Sequence, residues 1–226
     1  DSLTVEGIEL GRRLFYDKHL SSTGQLACAS CHKQEFAFSD AGNAKSTNVF
    51  GPTKRNAPSI ANLLWAGQMQ GGVWVGTLFW DGRANSLAAQ AKDAFHGEQN
   101  MDIPGAVAYL KTDSTYARLF RKAFGRPGDV TEEKIYKAVQ EFMMTLISSD
   151  SHFDKYVRGQ EQLTTSELNG LNLFTAADRG DCTHCHVSPA GTYLFTDHIF
   201  RNNGIDSVGS VNDYADLGLG KIDLNA

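Results

Sequence analysis

The chain has 226 residues, 41% of them hydrophobic, and a formal net charge of −5. That length holds one or two domains, the apolar content is ordinary for a globular fold, and the negative balance speaks against nucleic acid as a partner. No apolar run approaches the roughly 20 residues that cross a bilayer, and the start at Asp1 without a leader suits a mature, exported protein.

In chain order, the first predicted element is a helix carrying Gly11-Arg-Arg-Leu14-Phe15, upstream of Cys28-Ala-Ser-Cys31-His32. A long stretch from Ser39 to Met101 follows. A helical pattern over Ala106–Phe124 then carries Val107, Leu110, Leu119, Phe120 and Ala123, and stops at Gly125 and Pro127. Another over Thr131–Ser148 has Thr131 as its N-cap and turns Ile135, Val139, Phe142, Met143 and Leu146 inward. Met143 and Met144 read as core fillers rather than iron ligands. Strand signal is slight, and Asp150–Gln162 reads as a connection. A capping box, Thr164-Thr-Ser-Glu167, opens a last helix with Leu168, Leu171 and Phe174 at helical spacing. That helix contains Gly170-Leu-Asn-Leu173-Phe174, upstream of Cys182-Thr-His-Cys185-His186.

The two C-x-x-C-H motifs use all four cysteines of the chain. This is the attachment signature of c-type haem: the two thiols bond the porphyrin vinyls, and the histidine ligates iron from one face. The motif fixes the cofactor and leaves the reaction open. A structural zinc site usually has its cysteine pairs closer together, a redox dithiol needs no following histidine, and a two-residue spacer strains a disulfide. Because G-x-x-L-F precedes both motifs, each half reads as one cytochrome c-like domain. The expected fold is mainly α, with tandem domains at 1–149 and 150–226. Covalent haem attachment in bacteria takes place outside the cytoplasm, so a periplasmic location is expected.

Within the long stretch stand Arg55-Asn56-Ala57-Pro58-Ser59, Leu78-Phe79-Trp80-Asp81-Gly82-Arg83-Ala84 and Ser86-Leu87-Ala-Ala-Gln90-Ala91. In these segments, and in Phe195–Gly204 after the second motif, the chain resembles the bacterial di-haem cytochrome c peroxidase and MauG family. The resemblance implies a peroxidatic haem at His32 and a higher-potential relay haem at His186. That relay would take electrons from a small donor, a cytochrome c or cupredoxin, and hydrogen peroxide would be reduced to two waters. It further implies Trp80 as an electron relay, Gln90 and a nearby acid in the distal pocket, and Asn56 at a calcium site. A buried core aromatic is the plain alternative for Trp80, and an ordinary turn residue for Asn56. A homodimer is compatible with the resemblance.

Three features depart from the family pattern. No histidine lies between Lys33 and Asn56, where many members carry one that caps the peroxidatic iron. The position of the usual distal acid holds Asn100, so Glu98 is the expected acid and His96 its rival. No methionine follows Met144, so the family's second-haem ligand is expected beyond Ala226, and His198 reads as a packing or hydrogen-bonding residue rather than as the second iron's ligand. Two other functions stay open. A MauG-like oxidase would modify a partner protein. A plain di-haem carrier would need Met69 or Met101 on the first iron.

Overall fold

Thr4 starts the first helix, its Oγ1 accepting from the Gly7 N–H at 3.0 Å. In the computed structural model the described residues are 3–43, 45–71, 73–125, 129–188, 193–201 and 216–218, without the side chains of residues 69, 73 and 74. The helices are α1 (Val5–Tyr16), a single-turn α2 (Cys28–Cys31), and α3 (Leu87–Asp93), which runs into a π turn at Ala94–Glu98. They continue as α4 (Ile103–Thr112), α5 (Ser114–Phe124), α6 (Glu132–Met143), α7 (His152–Val157) and α8 (Thr165–Thr175).

The slight strand signal hid two antiparallel pairs. The shorter joins β1 (Thr47–Asn48) to β2 (Gly51–Pro52). The longer joins β3 (Gly67–Gln70) to β4 (Val73–Gly76), with Gly67 opposite Gly76. The single helix expected over Ala106–Phe124 is broken instead. Asp113 turns out of helical geometry, and its carboxylate accepts from the Thr115 and Tyr116 N–H groups, ending α4 and capping α5. The expected connection at 150–162 contains α7, whose cap Ser151 exchanges hydrogen bonds with Asp154. Both foreseen caps, Thr131 and Thr164, form as expected.

Contacts divide the chain into two compact units, Asp1–Ile147 with Asp216–Ala226, and Ser148–Ala215. In the first, one core joins Leu10, Leu14 and Phe15 of α1 to Leu119 and Phe120 of α5 and Ile135 and Val139 of α6. α1 and α6 cross at Gly11, where a side chain would run into the Ala138 carbonyl. Near one end of the crossing, the buried Glu141 accepts from the Thr4 N–H and hydroxyl, both at 3.1 Å. Gly170 of α8 differs, because no described atom lies within 4 Å of the place its Cβ would take.

Gly11→Ala should therefore push α1 off α6 and cost about 1–3 kcal/mol. A thermal melt of the variant beside the parent checks this.

Candidate functional site

In the first unit a cavity of about 640 Å³ lies over the first C-x-x-C-H motif. Cys28, Cys31 and His32 stand on one wall, and Phe15, Ile60, Leu78, Phe95 and Val139 make much of the apolar lining. The two cysteines form no disulfide. Burial pushes the Cys28 thiol up to about 12 and also raises Cys31. A reactive redox dithiol has the opposite character, a thiol lowered below its usual range. Among the described residues no three His, Cys, Asp or Glu side chains gather to hold a bare metal ion.

His32 is held by its backbone neighbours. The N–H of His32 bonds to the Cys28 carbonyl at 2.9 Å, and its Nδ1 lies 2.9 Å from the Phe38 carbonyl. A carbonyl can only accept, so Nδ1 carries the proton and Nε2 is left to ligate. Burial lowers the imidazole's pKa, which favours this neutral form. Phe38 presents its carbonyl from the left-handed region, at φ 59°. The second motif repeats the device: His186 Nδ1 lies 3.0 Å from the carbonyl of Phe195, which has φ 54°. In each unit the phenylalanine of G-x-x-L-F packs edge-on against the carbonyl-bearing one, Phe15 on Phe38 and Phe174 on Phe195. The sequence signal for this was Phe38-Ser-Asp40 beside Phe195-Thr-Asp197.

Gln90 and Glu98 both line the first cavity. Eight residues along a plain α-helix would leave them about 80° apart around the axis. The π turn at Ala94–Glu98 takes up extra chain and brings both to one side. Asn48 Nδ2 donates to the Glu98 carboxylate at 2.8 Å. Asn100 is exposed and off the cavity. The rival acid His96 points elsewhere, its Nε2 being 2.8 Å from Glu132 Oε1 and 3.0 Å from the Tyr136 hydroxyl. Sequence reasoning missed Gln99, which is buried on the cavity wall. Its Nε2 donates to Cys28 Sγ at 3.4 Å, and its Oε1 is buried with no partner among the described residues.

Trp80 also lines the cavity, yet 55% of it is exposed, so it is not a core aromatic. Its indole N–H donates to the Asn56 carbonyl at 2.8 Å. Asn56 in turn donates through Nδ2 to the Asp40 and Asn43 carbonyls. The loop around Trp80 is fixed by charge. Asp81, buried, takes Arg55 at 2.8 Å and Arg83 at 2.9 Å, and the Arg83 guanidinium lies 3.6 Å over the Phe79 ring. Arg55 also pairs with Asp216. Burial alone would raise the Asp81 pKa, but hydrogen bonds and charge from Arg55 and Arg83 outweigh it and hold the carboxyl below its usual range.

Met143 lines the first cavity. Met101 lies in the core and off the cavity, and the Met69 side chain lies outside the described residues. In the second unit a cavity of about 480 Å³ is lined by Phe153, Leu171, Phe174, His186 and Phe195. His198 has φ 59° and donates its N–H to Thr196 Oγ1. Residues 202–204 of the family-like segment lie outside the described residues. Haem fits the residues present: a histidine with one nitrogen tied back in each unit, a cysteine pair beside it, cavities of cofactor size, and in the first an unpartnered Gln99 oxygen.

These features describe a mainly helical, haem-type fold, and the comparisons narrow it. The family model described as di-haem cytochrome c peroxidase matches residues 5–162, and the chain belongs to that family. It is 36% identical over 225 residues to the methylamine utilization protein MauG of Methylorubrum extorquens, covering 97% of this chain and 57% of that protein. It is 32% identical to the cytochrome c551 peroxidase of Nitrosomonas europaea, covering 80% of this chain and 52% of that one. The crystal structure of a MauG-like protein associated with microbial copper homeostasis matches 99% of this chain and 66% of its own, with a TM-score of 0.78 and 31% identity. The chain thus spans a little over half the length of the curated relatives it matches.

The Asp81 ion group predicts an acid dependence. Its folded pKa lies below the unfolded value, so its contribution is full above about pH 4 and is lost as the pH falls through the folded pKa. Asp81→Asn should cost on the order of 2 kcal/mol at neutral pH. Melting temperatures from neutral to acid pH should converge for parent and variant as the pH falls through that window.

Proposed function

We propose that the chain carries two covalent c-type haems, at Cys28, Cys31 and His32 and at Cys182, Cys185 and His186, in domains 1–149 and 150–226. The first is the peroxidatic site of a cytochrome c peroxidase. The observation that carries this reading is the presence of Gln90 and Glu98 on the cavity that also holds His32. A haem there supplies the iron that binds hydrogen peroxide and the path for electrons. Glu98 moves a proton from the near to the far peroxide oxygen, so that water leaves, while Gln90 orients the bound molecule. Asn48 holds the Glu98 carboxylate by a hydrogen bond. Trp80 relays the electrons that a small cytochrome c or cupredoxin supplies by way of the His186 haem. The setting is the periplasm, and Asn56 contributes to a calcium site.

A MauG-like oxidase acting on a partner protein is the second reading, favoured by the similarity to MauG and by the missing loop histidine. The plain carrier reading is weaker, because Met101 packs in the core.

Three outcomes test the proposal. Acid–acetone extraction should leave the Soret band with the protein, and loss of colour to the solvent removes the covalent haems. Glu98→Gln should bind peroxide and cleave its O–O bond about 10²–10⁴-fold more slowly in stopped-flow traces. His32 is the only histidine lining the first cavity among the described residues. The fully oxidised protein should therefore show one high-spin ferric haem and react with peroxide without prior reduction. Two low-spin haems and no reaction until half-reduction would mean a capping ligand.

A further inference from the structure

Behind the cavity wall stands a polar cluster with no part in the reading above. We infer that Tyr136 is an internal electron donor to the first cavity, a phenol that gives one electron toward the haem and its proton to Glu132. The inference rests on the peroxide-reducing reading, which supplies the oxidant.

Four observations carry it. Phe95 lines the cavity and is fully buried. Tyr136 stacks on Phe95, with ring centroids 5.7 Å apart and planes 29° apart, so an aromatic contact leads from the cavity wall to the phenol. Tyr136 is itself buried, and its hydroxyl donates to Glu132 Oε1 at 2.5 Å with His96 Nε2 at 3.0 Å. His96 is exposed and donates its Nε2–H to the same carboxylate oxygen at 2.8 Å, which fixes that oxygen beside the phenol.

The chemistry follows from the phenol. Burial, and then Glu132, raise its pKa, so it stays protonated at rest. Removing an electron from a phenol makes the proton very acidic, and a poised carboxylate lets both leave together. The O–H bond breaks, the electron goes to the peroxide-oxidised haem, the proton goes to Glu132, and a neutral phenoxyl radical remains. An electron from the external donor and return of the proton restore Tyr136. The cluster thus protects the site when donor is scarce. Tyr116 is an internal control: it is also buried and donates to Asp17 at 2.7 Å, but it does not line or stack on the cavity wall.

The test uses the haem-loaded protein without donor, oxidised in one arm by hydrogen peroxide and in the other by flash-generated ruthenium(III) tris-bipyridine. Freeze-quench electron paramagnetic resonance should show a tyrosyl signal that is lost in Tyr136→Phe and kept in Tyr116→Phe. A nitroso spin trap with peptide mapping should place the adduct on Tyr136 in the unaltered protein, whatever the variant's folding. A Soret response to peroxide with no adduct on Tyr136 in either arm, or with the signal unchanged in Tyr136→Phe, overturns the inference alone. No Soret response to peroxide with a flash-generated radical on Tyr136 overturns the peroxide reading and keeps Tyr136 as a donor. Absence of both overturns both.

Discussion

The hydrogen bond from a motif histidine to a backbone carbonyl is the constraint on which the rest depends. An imidazole has two nitrogens, and only a fixed proton on one makes the other a dependable ligand. Here the acceptor is a main-chain oxygen, which cannot titrate. Turning it inward requires a phenylalanine in a backbone region that non-glycine residues seldom enter. That local cost is offset by packing, because the same phenylalanine buries its ring against the preceding helix. The helix, the motif and the turn after it therefore stand or fall together, once in each unit.

Another part of the first cavity's lining is built by a second departure from regular geometry. A straight continuation of α3 would separate Gln90 from Glu98, and the π turn brings them together. The loop carrying Trp80 is set by neither helix nor sheet but by Asp81 between two arginines. Buried carboxylates are tolerated only with such partners, so Arg55-Asn56 and Phe79–Arg83 act as one piece although more than twenty residues separate them.

Much of this was legible in the sequence. The two motifs, the helices before them, and the caps at Thr131 and Thr164 are local patterns, and local patterns survive folding. Of the two positions weighed for an acid, Glu98 lines the cavity and Asn100 does not. Other features depend on contacts that spacing does not encode. Asp113 lies within an unbroken apolar rhythm, and only its capping bonds end the helix. The π turn leaves no mark in composition. The core alternative for Trp80 falls only when 55% of the residue is seen to be exposed. His96 sits two residues from Glu98 and still faces away, because Glu132 and Tyr136 hold its ring.

The Arg55–Asp216 pair closes a span of 161 residues. During synthesis Arg55 and Asp81 emerge early and can pair at once, whereas Asp216 arrives only after the whole of Ser148–Ala215 has been made. The entropy of such a closure grows slowly with length, so its timing matters more than its size. The first unit can assemble its cavity wall before the second exists, and the late carboxylate then fastens the returning chain to a surface already in place.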